Sequence, residues 1–361
     1  MRSNGPVSLQ NPIISHRAYC QKSREIPQRR YRELTRAPLY SRLGTMLARC
    51  HAGLYTALAM LVLLVPMEGR DKRHQTATAP SSAFQASSNP VLINASVLDR
   101  SGHPVNGLHA AEFHVLEAGV EQRIVSFNQG DMPVSIVLLV DTSRSMRKLI
   151  GRSAEAVSSI LKTSNAEDEY SVVEFSDRPW LALGWTKDAN RVTDCLMHAE
   201  ARGSTALLDA VLFGGAVAGR AANARRILIV ISDGIDNHSR RSIAGVRKYL
   251  LEADVMVYSV DLMNDEGLWM QTEWDADGPA LLETICEAGG GRRLAVEQYT
   301  NLSEAIEEVG REIRNQYILG YQASALRKPG KYHAVDLRLS RPPGYQHVSV
   351  SWRRGYYEPR N

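Results

Sequence analysis

The hydrophobic pattern changes its period along the chain. Residues 134–140 read VSIVLLV and residues 226–232 read RILIVIS, two nearly unbroken apolar runs. Runs of that length suit strands covered on both faces, as in the middle of a parallel sheet. Shorter runs at 170–175, 180–185, 255–260 and 293–296 also read as strands. Between them, apolar positions recur at helical spacing over 146–161, 188–198, 206–221, 242–252, 278–287 and 302–315. Strands alternating with helices predict an α/β fold over residues 131–320, a doubly wound, mostly parallel sheet of Rossmann-like form. In such sheets the ligand crevice lies outside the carboxyl ends of the strands.

The pattern is different on either side. Residues 91–98 alternate apolar and polar, Asp99-Arg100-Ser101-Gly102 reads as a turn, and 113–117 and 123–127 read as two more strands. A small β module over 90–130 is expected. After the helical pattern ends, 316–321, 332–339 and 347–352 read as strands, with Pro342-Pro343-Gly344 as a turn. This C-terminal β tail, 321–361, either pairs with the opening module or extends an edge of the sheet.

One apolar run, 52–65, precedes all of this. At ~1.5 Å per residue it reaches about 21–24 Å, short of a ~30 Å hydrocarbon core. That length suits the centre of a signal peptide or a thin membrane anchor, assigned to 46–67. Arg49 lies before it, and Met46 opens a well-formed signal sequence, so 1–45 is read as an overcalled extension. Residues 68–89, rich in Ala, Ser, Thr, Pro and Gln, read as a linker. The expectation is an exported protein: periplasmic, extracellular or anchored to the membrane.

Charge sharpens the picture. The formal net charge is +4, yet residues 1–74 hold 13 basic and 4 acidic residues, leaving 30 basic and 35 acidic in the remainder. The basic character belongs to the leader, so no nucleic-acid footprint is expected on the folded part. Of the four cysteines, Cys195 and Cys286 fall in helical stretches and read as buried thiols without a zinc-site spacing.

Three short stretches carry the candidate chemistry. Asp141-Thr142-Ser143-Arg144-Ser145 follows the first buried run, Ser232-Asp233-Gly234 closes the second, and Gly203-Ser204-Thr205 precedes a helix. A hard cation such as Mg²⁺ takes near-octahedral oxygen ligands and keeps several waters. Two carboxylates (Asp141, Asp233) and three hydroxyls (Ser143, Ser145, Thr205) could supply five of them. Neutral hydroxyls leave the ion electron-poor, so an outside carboxylate can complete its shell. Either Asp alone could equally cap a helix; the distinctive feature is all five positions together.

These residues resemble the von Willebrand factor type A family, whose metal-ion-dependent adhesion site is Asp-x-Ser-x-Ser with a distant Thr and a distant Asp. Asp141, Ser143, Ser145, Thr205 and Asp233 match all five positions. The resemblance covers about 134–320. It implies that the two Ser and the Thr bind the metal directly, and the Asp residues directly or through water. The flanking sequences resemble those of bacterial secreted type A proteins, often of acidobacterial type. One departure is Arg144, where a Gly is usual.

The resemblance implies a metal-dependent protein-binding or adhesion module that uses Mg²⁺ (or Mn²⁺ or Ca²⁺) to hold a carboxylate of a protein ligand. No enzyme is expected: GxSxG, HExxH and GxxxxGK followed by Ser or Thr are all absent. Two other readings stay open, a cytoplasmic accessory subunit of an AAA+ chelatase-like machine and a metal-independent scaffold. Asp209 is read as a helix-surface or supporting residue, and His238 as an exposed loop histidine. Trp269 and Trp274, in the long loop 264–278, could form a recognition surface.

Overall fold

Residue pairing in a computed structural model turns these runs into three sheets. It describes residues 90–161, 164–262, 278–296, 301–323, 330–340 and 347–358. The leader, the linker, Trp269 and Trp274 lie outside the described residues. The strands are β1 Val91–Leu98, β2 Phe113–Glu117, β3 Val120–Gln122, β4 Ile124–Gln129, β5 Val134–Asp141, β6 Glu169–Phe175, β7 Pro179–Thr186, β8 Arg225–Ser232, β9 Met256–Leu262, β10 Arg293–Val296, β11 Tyr317–Tyr321, β12 Tyr332–Leu339, β13 Ser349–Trp352 and β14 Gly355–Tyr357. The helices are α1 Ile150–Leu161, α2 Ala189–Met197, α3 Leu207–Ala218, α4 Ile243–Ala253, α5 Gly278–Gly289 and α6 Leu302–Arg314.

The central sheet has six strands in the order β10-β9-β8-β5-β6-β7. Every pairing is parallel except β6 with β7, a hairpin at the edge. Strand β5 explains the first apolar run, because all eight of its residues are buried. Val134, Ile136, Leu138 and Val140 share a core with Val157 of α1, Val192 of α2 and Ile306 of α6. Val137 and Leu139 pack on the other face with Leu207 and Val211 of α3, Val246 of α4 and Leu282 of α5. Fully covering a side chain of this kind contributes about 1.5–3 kcal/mol. Two packed faces therefore hold β5 and β8 firmly at the centre.

The doubly wound, mostly parallel sheet is thus the fold of the middle of the chain. From β5 the chain crosses to β6 on one side. It then returns, through β7, α2 and α3, to β8 on the other side of β5. The strand order reverses between β5 and β8, and the carboxyl ends of strands at such a reversal are where doubly wound sheets take their ligands.

The outer strands form two further sheets, β13-β1-β11-β4 and β14-β12-β2-β3. Their inner faces enclose a separate core of Ile93, Phe113, Val115, Leu319, Val335, Leu337 and Trp352. The tail strands pair with the opening module: β11 lies antiparallel to β1 and β4, and β12 lies antiparallel to β2. Gln129 at the end of β4 sits opposite Tyr317 at the start of β11. The chain therefore leaves the sandwich and re-enters it at one place, and the central sheet is an insertion between two paired strands.

Buried polar groups join the insertion to the sandwich. Gln316 Nε2 donates to Tyr258 Oη at 2.8 Å and to Ser96 Oγ at 3.2 Å. Arg225 donates to Gln316 Oε1 at 2.8 Å, to the Ile313 carbonyl at 2.6 Å and to the Met132 carbonyl at 2.9 Å. Tyr258 donates to Glu312 Oε1 at 2.9 Å, and Arg292 donates to Glu312 Oε2 at 2.7 Å. Burial next to Glu312 holds the Tyr258 phenol well above its usual range, so it stays a neutral donor. Cys195 and Cys286 are both buried and neither is in a disulfide. Among the described residues, no helix is long and apolar enough to cross a membrane.

Candidate functional site

Strand β5 ends on Asp141, and its carboxylate is fully buried. A buried carboxylate needs donors. Oδ1 accepts the Ser143 backbone N–H at 2.8 Å, which turns the chain sharply after the strand. Oδ2 accepts the Ser232 hydroxyl from the end of β8 at 2.7 Å. That hydroxyl also accepts the Gly234 N–H at 3.1 Å. One carboxylate thus ties the ends of the two central strands together.

The turn after β5 places the next two residues. Ser143 Oγ and Ser145 Oγ lie 3.1 Å apart. Ser143 is buried and Ser145 is exposed, so the pair runs from the interior to the surface. A 3-10 turn, Arg144–Lys148, follows before α1 begins. The helical periodicity at 146–161 therefore begins in a tighter turn whose first residues belong to the site.

The second loop is stitched to the first by backbone bonds. Arg144 N donates to the Gly203 carbonyl at 3.2 Å, and Arg202 N donates to the Thr142 carbonyl at 2.7 Å. Gly203 sits at φ +77°, and a Cβ there would come within 2.8 Å of both Asp177 carboxylate oxygens. Asp177 in turn accepts the Ser204 N–H at 2.7 Å. Thr205 is buried; its N–H donates to Asn237 Oδ1 at 2.9 Å, and its carbonyl accepts Asn237 N and His238 N. Thr205 is held between the first loop and the loop after β8 without contributing its hydroxyl to any of these bonds.

Asp233 follows β8 and is half-buried, and Ile235 N donates to its Oδ1 at 3.3 Å. Gly234, at φ +79°, lets the chain turn away under α5; a Cβ there would lie 2.7 Å from the Gly278 carbonyl. Burial, followed by the charge of Asp233, pushes the Asp141 carboxyl up to about 7 against the pull of its hydrogen bonds. These two acidic groups, one closing β5 and one just after β8, repel each other.

The structure thus links Asp141, Ser143 and Ser145 by direct hydrogen bonds, Asp233 to them by charge, and Thr205 to them by loop geometry. Two carboxylates and three hydroxyls form an oxygen-only donor set, which suits a hard divalent cation. Among the described residues no three His, Cys, Asp or Glu side chains gather as a metal site. This donor set would not meet that description, because only two of its members are acidic. A cation between Asp141 and Asp233 would relieve their repulsion, so the residues fit the ion.

Other residues take supporting places. Asp209, on α3, is buried and accepts the Arg240 N–H at 3.3 Å, while its own N–H donates to Ser239 Oγ at 3.2 Å. His238 is exposed, and Asp236 accepts the Ser239 N–H at 3.2 Å. Two supporting residues were not singled out from the sequence. Ser232 anchors Asp141, and its signal is a hydroxyl directly before Asp233 at a strand end. Asp261 sits buried at the end of β9, paired to Arg293 NH1 at 2.6 Å, with its carboxyl raised first by burial. Its signal is an acidic residue closing an otherwise apolar strand.

The family described as von Willebrand factor type A domain matches residues 136–235. Among solved structures, the chain is similar to a von Willebrand factor type A protein from Catenulispora acidiphila, at 13% identity and a TM-score of 0.45, covering 76% of each chain. It is similar to BatB from Bacteroides thetaiotaomicron at 15% identity and a TM-score of 0.39, covering 50% of this chain and all of that one. It is also similar to proximal thread matrix protein 1 of the mussel byssus, solved with a zinc-occupied MIDAS motif, at 15% identity and a TM-score of 0.43, covering 54% of this chain and 48% of that one. No curated protein matches.

Proposed function

The chain carries a von Willebrand factor type A domain, and from that premise we propose that it is a metal-dependent binding module, of adhesive type, in an exported or membrane-anchored protein. The observation that supports this reading is that the three loops carrying Asp141, Ser143, Ser145, Thr205 and Asp233 are tied to one another by hydrogen bonds at the strand-order reversal. Asp141, Ser143, Ser145, Thr205 and Asp233 would hold the ion, Mg²⁺ or alternatively Mn²⁺ or Ca²⁺. When bound, the ion would supply a Lewis-acidic position for a carboxylate of a protein partner.

The chain's own residues do the positioning. Ser232 and the Ser143 N–H fix the orientation of the Asp141 carboxylate. The Thr142 and Gly203 carbonyls fix the loops that carry Ser143, Ser145 and Thr205. Such preorganisation lowers the cost of assembling the site when the ion arrives. Export rests on the sequence of the leader alone. Binding rather than catalysis is the reading because no nucleophile–base pair accompanies the donor set in the sequence motifs.

The test is a calorimetric titration of the full-length chain with Mg²⁺, beside an Asp141→Ala variant whose folding is checked by circular dichroism. The expected result is saturable binding to the natural chain and loss of at least tenfold in affinity in a folded variant. Unchanged affinity in the variant overturns the assignment.

A further inference from the structure

Six arginines lie on the loops that carry the site or border it. Arg144 and Arg147 lie on the turn after β5, Arg178 in the β6–β7 hairpin, Arg202 before α3, and Arg240 and Arg241 after β8. All six are exposed. Backbone bonds hold four of these places around one opening. Arg144 N donates to Gly203, Arg202 N to Thr142, Arg240 N to Asp209, and the Arg178 loop is joined through Asp177 to Ser204 N.

None of the six arginines forms an ion pair with a described residue; the arginine ion pairs lie elsewhere, as at Arg292, Arg293, Arg311, Arg314 and Arg353. Outside the proposed ligands, the acidic residues on these loops are Asp177, Glu200 and Asp236. Asp177 and Asp236 already accept backbone N–H groups. Residues 75–361 hold more acidic than basic side chains, 35 against 30, so this cluster of arginines runs against the balance of the folded part.

We infer that this rim selects a partner segment whose metal-directed carboxylate is flanked by further Asp or Glu residues. The inference rests on the metal-dependent binding proposed above. An isolated carboxylate would satisfy the ion alone, whereas flanking carboxylates would meet guanidinium groups that have no ion-pair partner among the described residues. Arginine offers planar, bidentate geometry for carboxylates. The exposed pairs would be individually weak, but several at one opening steer encounter and discriminate between partners. An acidic protein segment is favoured over a sulfated glycan because the site at the centre of the rim is built for a carboxylate.

The experiment measures binding of two fluorescein-labelled peptides to the full-length chain by anisotropy. One peptide is Gly-Ser-Gly-Asp-Gly-Ser-Gly and the other Glu-Glu-Gly-Asp-Gly-Glu-Glu, each tested with Mg²⁺ or with EDTA. At 50 mM NaCl the acidic peptide is expected to bind roughly tenfold more tightly, from three or so exposed ion pairs. Raising the salt to 300 mM should narrow that gap, because the contacts are solvent-screened. The variant Arg144→Ser/Arg202→Ser/Arg240→Ser should bind both peptides alike, and EDTA should abolish binding of both. Equal affinities in the natural chain, an acidic preference that survives in the variant, or no binding of either peptide overturns the inference. Tighter retention on heparin than on the acidic peptide also overturns it, in favour of a glycan. An arginine-dependent preference that persists in EDTA upholds the rim and overturns the metal reading; EDTA-sensitive binding without a preference does the reverse.

Discussion

Asp141 is where folding and the proposed metal binding conflict. Its carboxyl is buried, faces Asp233, and is pushed from 3.8 up to about 7. A carboxyl whose folded pKa is raised binds a proton more readily in the folded state than in the unfolded one. Between about pH 4 and pH 7, metal-free stability therefore falls as pH rises, and above 7 the full penalty remains. Asp141→Asn should stabilise the metal-free chain at pH 8, by an amount on the order of a few kcal/mol, and give no gain at pH 4. Urea melts of both proteins in EDTA at the two pH values check this. Because a proton and the proposed ion would compete for the same oxygens, Mg²⁺ affinity of the natural chain should also decline below pH 7. Ser232→Ala should weaken Mg²⁺ about tenfold, as losses of oriented supporting groups do, measured by the same calorimetry. The loops that carry the five candidate positions were legible in the sequence: Asp141 ends one buried apolar strand, Asp233 follows another, and Thr205 precedes a helix. The roles of Ser232 and Asp261 were not, since they depend on which strand ends become neighbours in space.

Two tight turns shape the elements that carry the site. Gly234 has a positive φ and no room for a Cβ against the Gly278 carbonyl. Gly234→Ala should cost roughly 2 kcal/mol or more, combining a left-handed backbone with a backbone clash, and should lower Mg²⁺ affinity as well. A thermal melt with and without Mg²⁺ separates the two effects. Most elements of the central sheet were readable from periodicity, β5 and β8 most plainly. Their apolar runs are covered on both faces, and nothing competes with that signal. The start of the helix after Ser145 was less so: the chain first forms a 3-10 turn, while the preceding residues serve the crevice. Strands β3 and β14, three residues each, are too short to show an alternation. They exist because neighbours β2 and β12 pair with them.

At the scale of the molecule, the central sheet is inserted into a sandwich and bolted to it by Arg225, Gln316, Tyr258 and Glu312. Long-range pairing of this kind leaves no local trace, so the sequence placed the tail strands without choosing their partners. Arg225 is buried and serves three acceptors. Arg225→Met should cost roughly 3 kcal/mol, since the acceptors it leaves lose charged donors; chemical denaturation monitored by fluorescence reads the change. The same architecture sets where the proposed binding would occur, because β5 and β8, held between two cores, carry the loops that hydrogen bonds tie together. The most direct measurement is anomalous diffraction from a crystal of the full-length chain soaked in Mn²⁺. A peak bounded by Asp141, Ser143, Ser145, Thr205 and Asp233 is expected. A soaked crystal with those loops ordered and no peak among them would contradict it.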